Sequence, residues 1–267
     1  MPSDFSTIGF DIQTPEDFVA VAEQVATQAH AVPAKGGHYL RWIGGSGEEV
    51  WLQVDESGDF VGMNPHFKGK SLVRVGLQAR VAREDDTDLD GRFLGWADPE
   101  QDKPESGAYP LVFDAPDAAT YSGLELPVIV EAQIAAFAHE ISSYDSPDAY
   151  SASQESQQVK FASRSFFPAD MFRPDDAATE PPDAMALFTG HVIEADVRKN
   201  SMTGQPFFWA LVDTLGGRYD VVIDRTLLPQ VPSAGSVLSG LFWLSGRVTS
   251  FPKRKRSWLG KILRGTG

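Results

Sequence analysis

The stretch Asn64-Pro65-His66-Phe67-Lys68-Gly69-Lys70-Ser71 holds the densest mix of groups able to do chemistry. It ends in the Gly-Lys-Ser of a phosphate-binding loop, where backbone N–H groups curl around phosphate and the lysine neutralises it. That loop needs a glycine where Asn64 stands, and Pro65 removes one donor. The residues after Ser71 alternate as a strand, whereas the loop needs a helix whose N-terminus faces the phosphate. The plainer expectation is an Asn-Pro turn with Lys68 and Lys70 in solvent. His66 in that turn could be a general base, and an enzymatic site around His66, Lys68 and Asp11 is one reading. A turn-capping hydrogen bond to the backbone explains His66 better.

Other near-matches stop short in similar ways. Asp86-Thr87-Asp88-Leu89-Asp90-Gly91 copies the front of a calcium loop, but Ala97 occupies the place of its bidentate Glu. An acidic hairpin turn accounts for the same residues. His139-Glu140 opens an H-E-x-x-H zinc pattern, but Ser143 stands where the second imidazole is required. The five histidines (30, 38, 66, 139 and 191) accompany no G-x-S-x-G elbow, so no triad can be argued. There is no cysteine, which excludes disulfides, cysteine nucleophiles and thiolate metal sites. No metal or cofactor is expected.

The last fifteen residues, KRKRSWLGKILRGTG, carry six basic groups and no acidic one. Ser257 can cap a short helix, on which Trp258, Leu259, Ile262 and Leu263 cluster to one side. Gly260 and the short length weaken that helix. Lys253, Arg254, Lys255 and Arg256 precede it. Together these eight residues are the expected partner-binding site. Folding back on the chain's own body, docking on another protein or a second copy, and meeting membrane or nucleic acid are three possible uses. Self-docking and partner docking are favoured over the third.

The elements behind these residues read as follows. Ile8, Phe10 and Ile12 alternate as a strand, and Thr14, Pro15 and Asp17 start a helix carrying Phe18, Val21, Ala22, Val25 and Ala29 on one face. HYLRWI, EVWLQVD and DFVGM follow as strands. This β-α-β-β-β order resembles a module of the vicinal-oxygen-chelate (glyoxalase-like) superfamily. The resemblance implies metal ligands on strands, but the first strand offers only Asp11. SLVRVGLQARVA, GRFLGW and YPLVFDAP are further strands. Residues 127–144 are expected as a second helix through Val130, Ile134, Phe137, Ile141 and Tyr144, with residues 145–158 a loop. RPDDAATEPPD, residues 173–183, reads as a linker. Four strand segments follow in residues 184–250. Their pattern of strands and glycines resembles an OB-like barrel, a fold that often handles oligonucleotides or partner proteins. Its aromatics, Phe188, Phe207, Phe208, Trp209, Tyr219, Phe242 and Trp243, fit a core better than a base-stacking platform. The faint likeness of GFDIQTPEDF to VFDAPDAATY is chance rather than a repeat.

As a whole the chain resembles a family of uncharacterised bacterial proteins, in GSGEEVWLQVD, NPHFKG, ISSYDSPDAYSASQ and GLFWLSGR. That resemblance implies a bacterial, cytoplasmic protein and brings no activity. The 267 residues include no apolar run long enough to cross a membrane, and Met1 to Phe10 lacks the features of a secretory signal. Residues 1–183 hold 12 Lys and Arg against 32 Asp and Glu, while residues 184–252 hold five of each. An acidic body repels phosphate backbones and anionic lipids, so nucleic acid is disfavoured as a partner. The expected architecture is α+β: an acidic domain with antiparallel hairpins (1–172), the linker (173–183), a small OB-like barrel (184–250) and a basic amphipathic tail (251–267). The expected function is a cytoplasmic, non-enzymatic binding or adaptor module acting through protein contacts or self-association. An enzyme near His66 and a nucleic-acid or membrane binder are the alternatives.

Overall fold

The computed structural model describes residues 3–168 and 182–250, and it is a sheet-rich α+β fold. The first helix, α1 (Pro15–Ala26), forms as its sequence dictates. Thr14 accepts from the Asp17 N–H, the Asp17 carboxylate accepts from the Thr14 N–H, and Pro15 needs no partner at the first position. The strand expected at Ile8 to Ile12 is absent. Ser6–Ile8 is instead a 3₁₀ turn that ends on Gly9 in the left-handed region. A Cβ at Gly9 would lie 2.9 Å from the Gln205 carbonyl, so the chain hugs another segment there and pairs with no strand. Ile8 and Phe10 are still buried, which is why they alternate in sequence.

A four-stranded antiparallel meander follows: β1 (His30–Ala34), β2 (Gly37–Ile43), β3 (Glu48–Asp55) and β4 (Phe60–Phe67). One face, with Trp42, Val50, Leu52, Met63 and Phe67, packs with Ala22 and Val25 of α1. The other carries Tyr39, Arg41, Glu49, Trp51 and His66, as the two-residue period of a strand requires. Asn64 and Pro65 lie within β4, an edge strand of this sheet, rather than in a turn.

The second sheet has nine strands: β5 (Val73–Val81), β6 (Arg92–Ala97), β7 (Tyr109–Asp114), β8 (Val128–Tyr144), β9 (Ser165–Pro168), β10 (Met185–Lys199), β11 (Pro206–Thr214), β12 (Gly217–Ile223) and β13 (Val237–Ser250). Its pairings close into two rings of five strands each. One runs β8-β5-β6-β7-β13 and back to β8. The other runs β13-β10-β11-β12-β8 and back to β13. The two follow one scheme. Four strands consecutive among those of the ring pair antiparallel, the first with both the second and the fourth. A fifth strand, borrowed from the other set, pairs parallel with the third. Thus β8 and β13 each serve as fourth strand of their own ring and fifth strand of the other. Among the described residues, the strands of 184–250 close into a ring only through β8.

Residues 128–144 were therefore misread as a helix. Val130, Ala132, Ile134, Ala136 and Ala138 point into the ring cores, while Ala135 and Phe137 face the first sheet. A strand buried on both faces loses its polar alternation, and its apolar run then satisfies a helical stripe as well. A short helix, α2 (Pro147–Ser153), capped by Ser146, sits where a loop was expected. The ring interiors share one core, in which Tyr109 stacks on Phe166 at 4.0 Å and Phe188 on Phe242 at 4.0 Å. Of the expected linker, residues 173–181 lie outside the described residues.

Candidate functional site

The eight residues expected to bind a partner, Lys253, Arg254, Lys255, Arg256, Trp258, Leu259, Ile262 and Leu263, lie outside the described residues. The other expected centre, His66, is fully buried between β4 and the shared strands of the rings. Gln133 of β8 fixes its state. The Gln133 amide donates to the Asp220 carboxylate at 3.1 Å, so its carbonyl oxygen faces the ring and accepts from His66 Nε2 at 2.9 Å. His66 Nδ1 then accepts from the Ser245 hydroxyl at 2.9 Å. Burial pushes the imidazole down to about 4, against the pull of Glu49. His66 is thus neutral near pH 7. Its expected companions are elsewhere: Asp11 is exposed and bonds Gln13, and Lys68 is exposed. The His66 ring makes side-chain bonds, not the backbone cap expected.

Beside His66, in register on β3, lies Glu49, also fully buried. Its carboxylate accepts from Arg41 at 2.5 Å and from Trp51 Nε1 at 3.0 Å. Burial pushes Glu49 up, but His66, Arg41 and Arg247 outweigh it and hold the carboxyl below its ordinary value. Trp51 lies between two guanidinium groups, Arg41 at 4.8 Å and Arg247 at 4.6 Å from the ring centre. Arg247 also donates to Asp117 at 2.8 Å. The buried carboxylates of Glu49 and Asp117 are thus each paired with a half-buried guanidinium, as the cost of burying a lone charge demands.

The Gly-Lys-Ser sequence does bind an anion, but an internal one. The backbone N–H groups of Lys70 and Ser71 donate to the two oxygens of Asp220 at 2.9 and 2.7 Å, and Trp209 Nε1 adds a third bond at 2.9 Å. Gly69 is required here, because a Cβ would lie 2.0 Å from that carboxyl. Lys70 itself reaches outward to Glu194 at 2.6 Å. His139 lies on β8 rather than a helix, and bonds Asp4 at 2.7 Å. In the acidic turn, the Asp90 carboxylate accepts from Thr87 and Gln53, and that of Asp86 from the Arg83 N–H. No group of metal-ligating side chains is found among the described residues.

Two clefts flank Arg92. The larger, about 420 Å³, is lined by Lys35, Glu56, Arg80, Asp88 and Phe93, and the smaller, about 190 Å³, by Arg83, Asp86, Asp114 and Trp243. Arg92 donates to Asp114 at 2.9 Å, and Trp243 donates to the other oxygen of Asp114 at 2.6 Å. Burial raises the Asp114 carboxyl, against the pull of Arg92. In the smaller cleft Asp86 and Asp114 already accept hydrogen bonds, and His66 lines neither cleft.

One surface feature escaped the sequence reading. Phe18 of α1 meets Phe60 of β4 at 6.1 Å between ring centres, and around them Val19 is 50% exposed, Phe60 45% and Val61 39%. Glu16 and Glu23 share α1 with Phe18 and Val19, Asp59 precedes Phe60, and no Lys or Arg occurs in residues 3–34 or 42–67. The runs free of basic residues were visible in sequence, but their meeting in space was not. Of the barrel aromatics, Phe188, Phe207, Phe208, Trp209, Tyr219 and Phe242 are buried, and Trp243 is half-buried. Among the described residues no helix is long and apolar enough to cross a membrane. Comparison of the chain with protein-family models, with curated proteins and with solved structures finds no match.

Proposed function

We propose that the chain is a cytoplasmic, non-enzymatic binding module that works through protein contacts, and that its docking surface is the acidic apolar patch of α1 and β4. The observation that carries this reading is the patch itself: aromatic and aliphatic groups about half exposed, on segments that carry acids and no Lys or Arg. Groups of this kind in water mark interaction sites more often than chance surface. The inaccessible, internally bonded His66 supports it too, since a general base must reach the proton it takes. The five-stranded rings have the strand order of an OB-like barrel, twice over, which supports that reading of residues 184–250 with β8 as fifth strand. The burial of the barrel aromatics favours protein over nucleic acid as partner. The test is a quantitative pull-down with the full chain and its Phe60→Glu variant. A partner retained by the parent at fixed stoichiometry and lost by the variant is expected. Equal recovery by both, or no co-purifying protein with either, would overturn the proposal.

A further inference from the structure

We infer that the segment Lys253–Arg264 of this same chain occupies the α1–β4 patch and covers it until a partner displaces it. The inference rests on the patch being a docking surface, and it names what sits there first. The chemistry matches group by group. The patch offers Phe18, Val19, Phe60 and Val61 on segments that also carry Glu16, Glu23 and Asp59. The segment offers Trp258, Leu259, Ile262 and Leu263 amid Lys253 to Arg256, Lys261 and Arg264, with no acid among them. Some other exposed apolar side chains have basic neighbours: Leu72 lies between Lys70 and Arg74, and Val197 beside Arg198. The runs that form the α1–β4 patch, residues 3–34 and 42–67, hold no Lys or Arg, which favours a cationic segment there.

The path runs the right way. Ser245 of β13 bonds His66, and Arg247 lies over Trp51, which is in register with Asn64, so from Ser245 toward Ser250 β13 follows β4 from His66 toward Phe60. Beyond Ser250, Trp258 is up to ~26 Å away and Leu263 up to ~43 Å when the chain is extended. A tethered segment acts at millimolar effective concentration, so modest intrinsic affinity suffices for occupancy.

The absence of cysteine gives a clean test in the full chain. Glu23→Cys at the rim of the patch is combined with Gly260→Cys, and disulfide formation is followed in dilute protein by non-reducing gel and peptide mass. Asp148→Cys on α2 with Gly260→Cys is the control. The rim pair is expected to close within single molecules about tenfold faster than the control pair. Adding Phe60→Glu, a change at an exposed site that leaves the core intact, should bring the rate down to that of the control. Equal rates for the two pairs, insensitivity to Phe60→Glu, or cross-links only between molecules would each overturn the inference. A pull-down that still depends on Phe60 while the two pairs close equally would leave the docking surface standing and remove only its self-occupancy.

Discussion

His66 shows how a reactive residue type becomes a structural one. Its imidazole has two partners whose roles are set by Asp220 through Gln133, and it is enclosed. The consequence is a pH dependence of stability. In the unfolded chain a histidine titrates near its ordinary value of about 6.5, and here burial lowers it to about 4. Between these values the unfolded state binds the extra proton, so stability is full above pH 6.5 and falls as pH drops toward 4. The full effect is ~3 kcal/mol. Glu49, also held low, contributes stability that is lost only as pH falls through its own folded value, below the ordinary carboxyl range. Between pH 6.5 and 4.5, His191, also lowered by burial, adds to the decline, and Asp114 and Asp117, raised by burial, oppose it, so the share of His66 is the part that its replacement removes. Denaturant melts across this range should show it, and His66→Gln should flatten the slope by close to one proton. An unchanged slope in the variant would assign the pH dependence elsewhere.

At the scale of elements, the seam between β8 and β13 carries the fold. It runs from Val237 opposite Tyr144 to Ser250 opposite Glu131, longer than any other pairing among the described strands. Gly240 leaves no room for a side chain at this seam: a Cβ there would fall 2.1 Å from the Glu140 carbonyl. Gly240→Ala must push the strands apart, and a loss of about 1–3 kcal/mol is expected from such overpacking. Gly123→Ala, with nothing within 4 Å of its Cβ, serves as the control and should leave the denaturation midpoint unchanged. The helix α1 and most strands were legible because each is short and bounded by local start or stop signals. Thr14, Pro15 and Asp17 announce α1 without help from the rest of the molecule. β8 was not legible, because Ala135 and Phe137 are apolar for one neighbour and Ala136 and Ala138 for another. The site had the same limit. The residues around His66 and Gly69 suggested a turn with a backbone cap, because their actual partners Ser245, Gln133 and Asp220 lie far along the chain. Periodicity carries no information about such pairings.

At the scale of the whole molecule, the exchange of fourth strands makes the two rings interdependent. The repeat is one of strand order, β5 to β8 against β10 to β13, and it leaves no plain trace in the residues. Each set of four strands, taken alone, leaves an open ring. Without β8, β12 would keep only β11 as a neighbour, and β13 would lose its longest pairing. The exposed edges would then invite aggregation rather than closure. The first sheet adds to the interdependence, since its apolar face packs on Phe207, Trp209 and Val222 of the second ring as well as on β8. Residues 182–250 expressed alone should therefore show no cooperative unfolding and little ordered sheet by circular dichroism. Co-expression with residues 1–168 should restore a soluble pair that melts in one transition, as strands shared between the fragments require. A fragment of 182–250 that is monomeric, folded and cooperative by itself would mean that the second ring closes without its borrowed strand. The shared seam would then be a packing contact between two independent units rather than the frame of a single one.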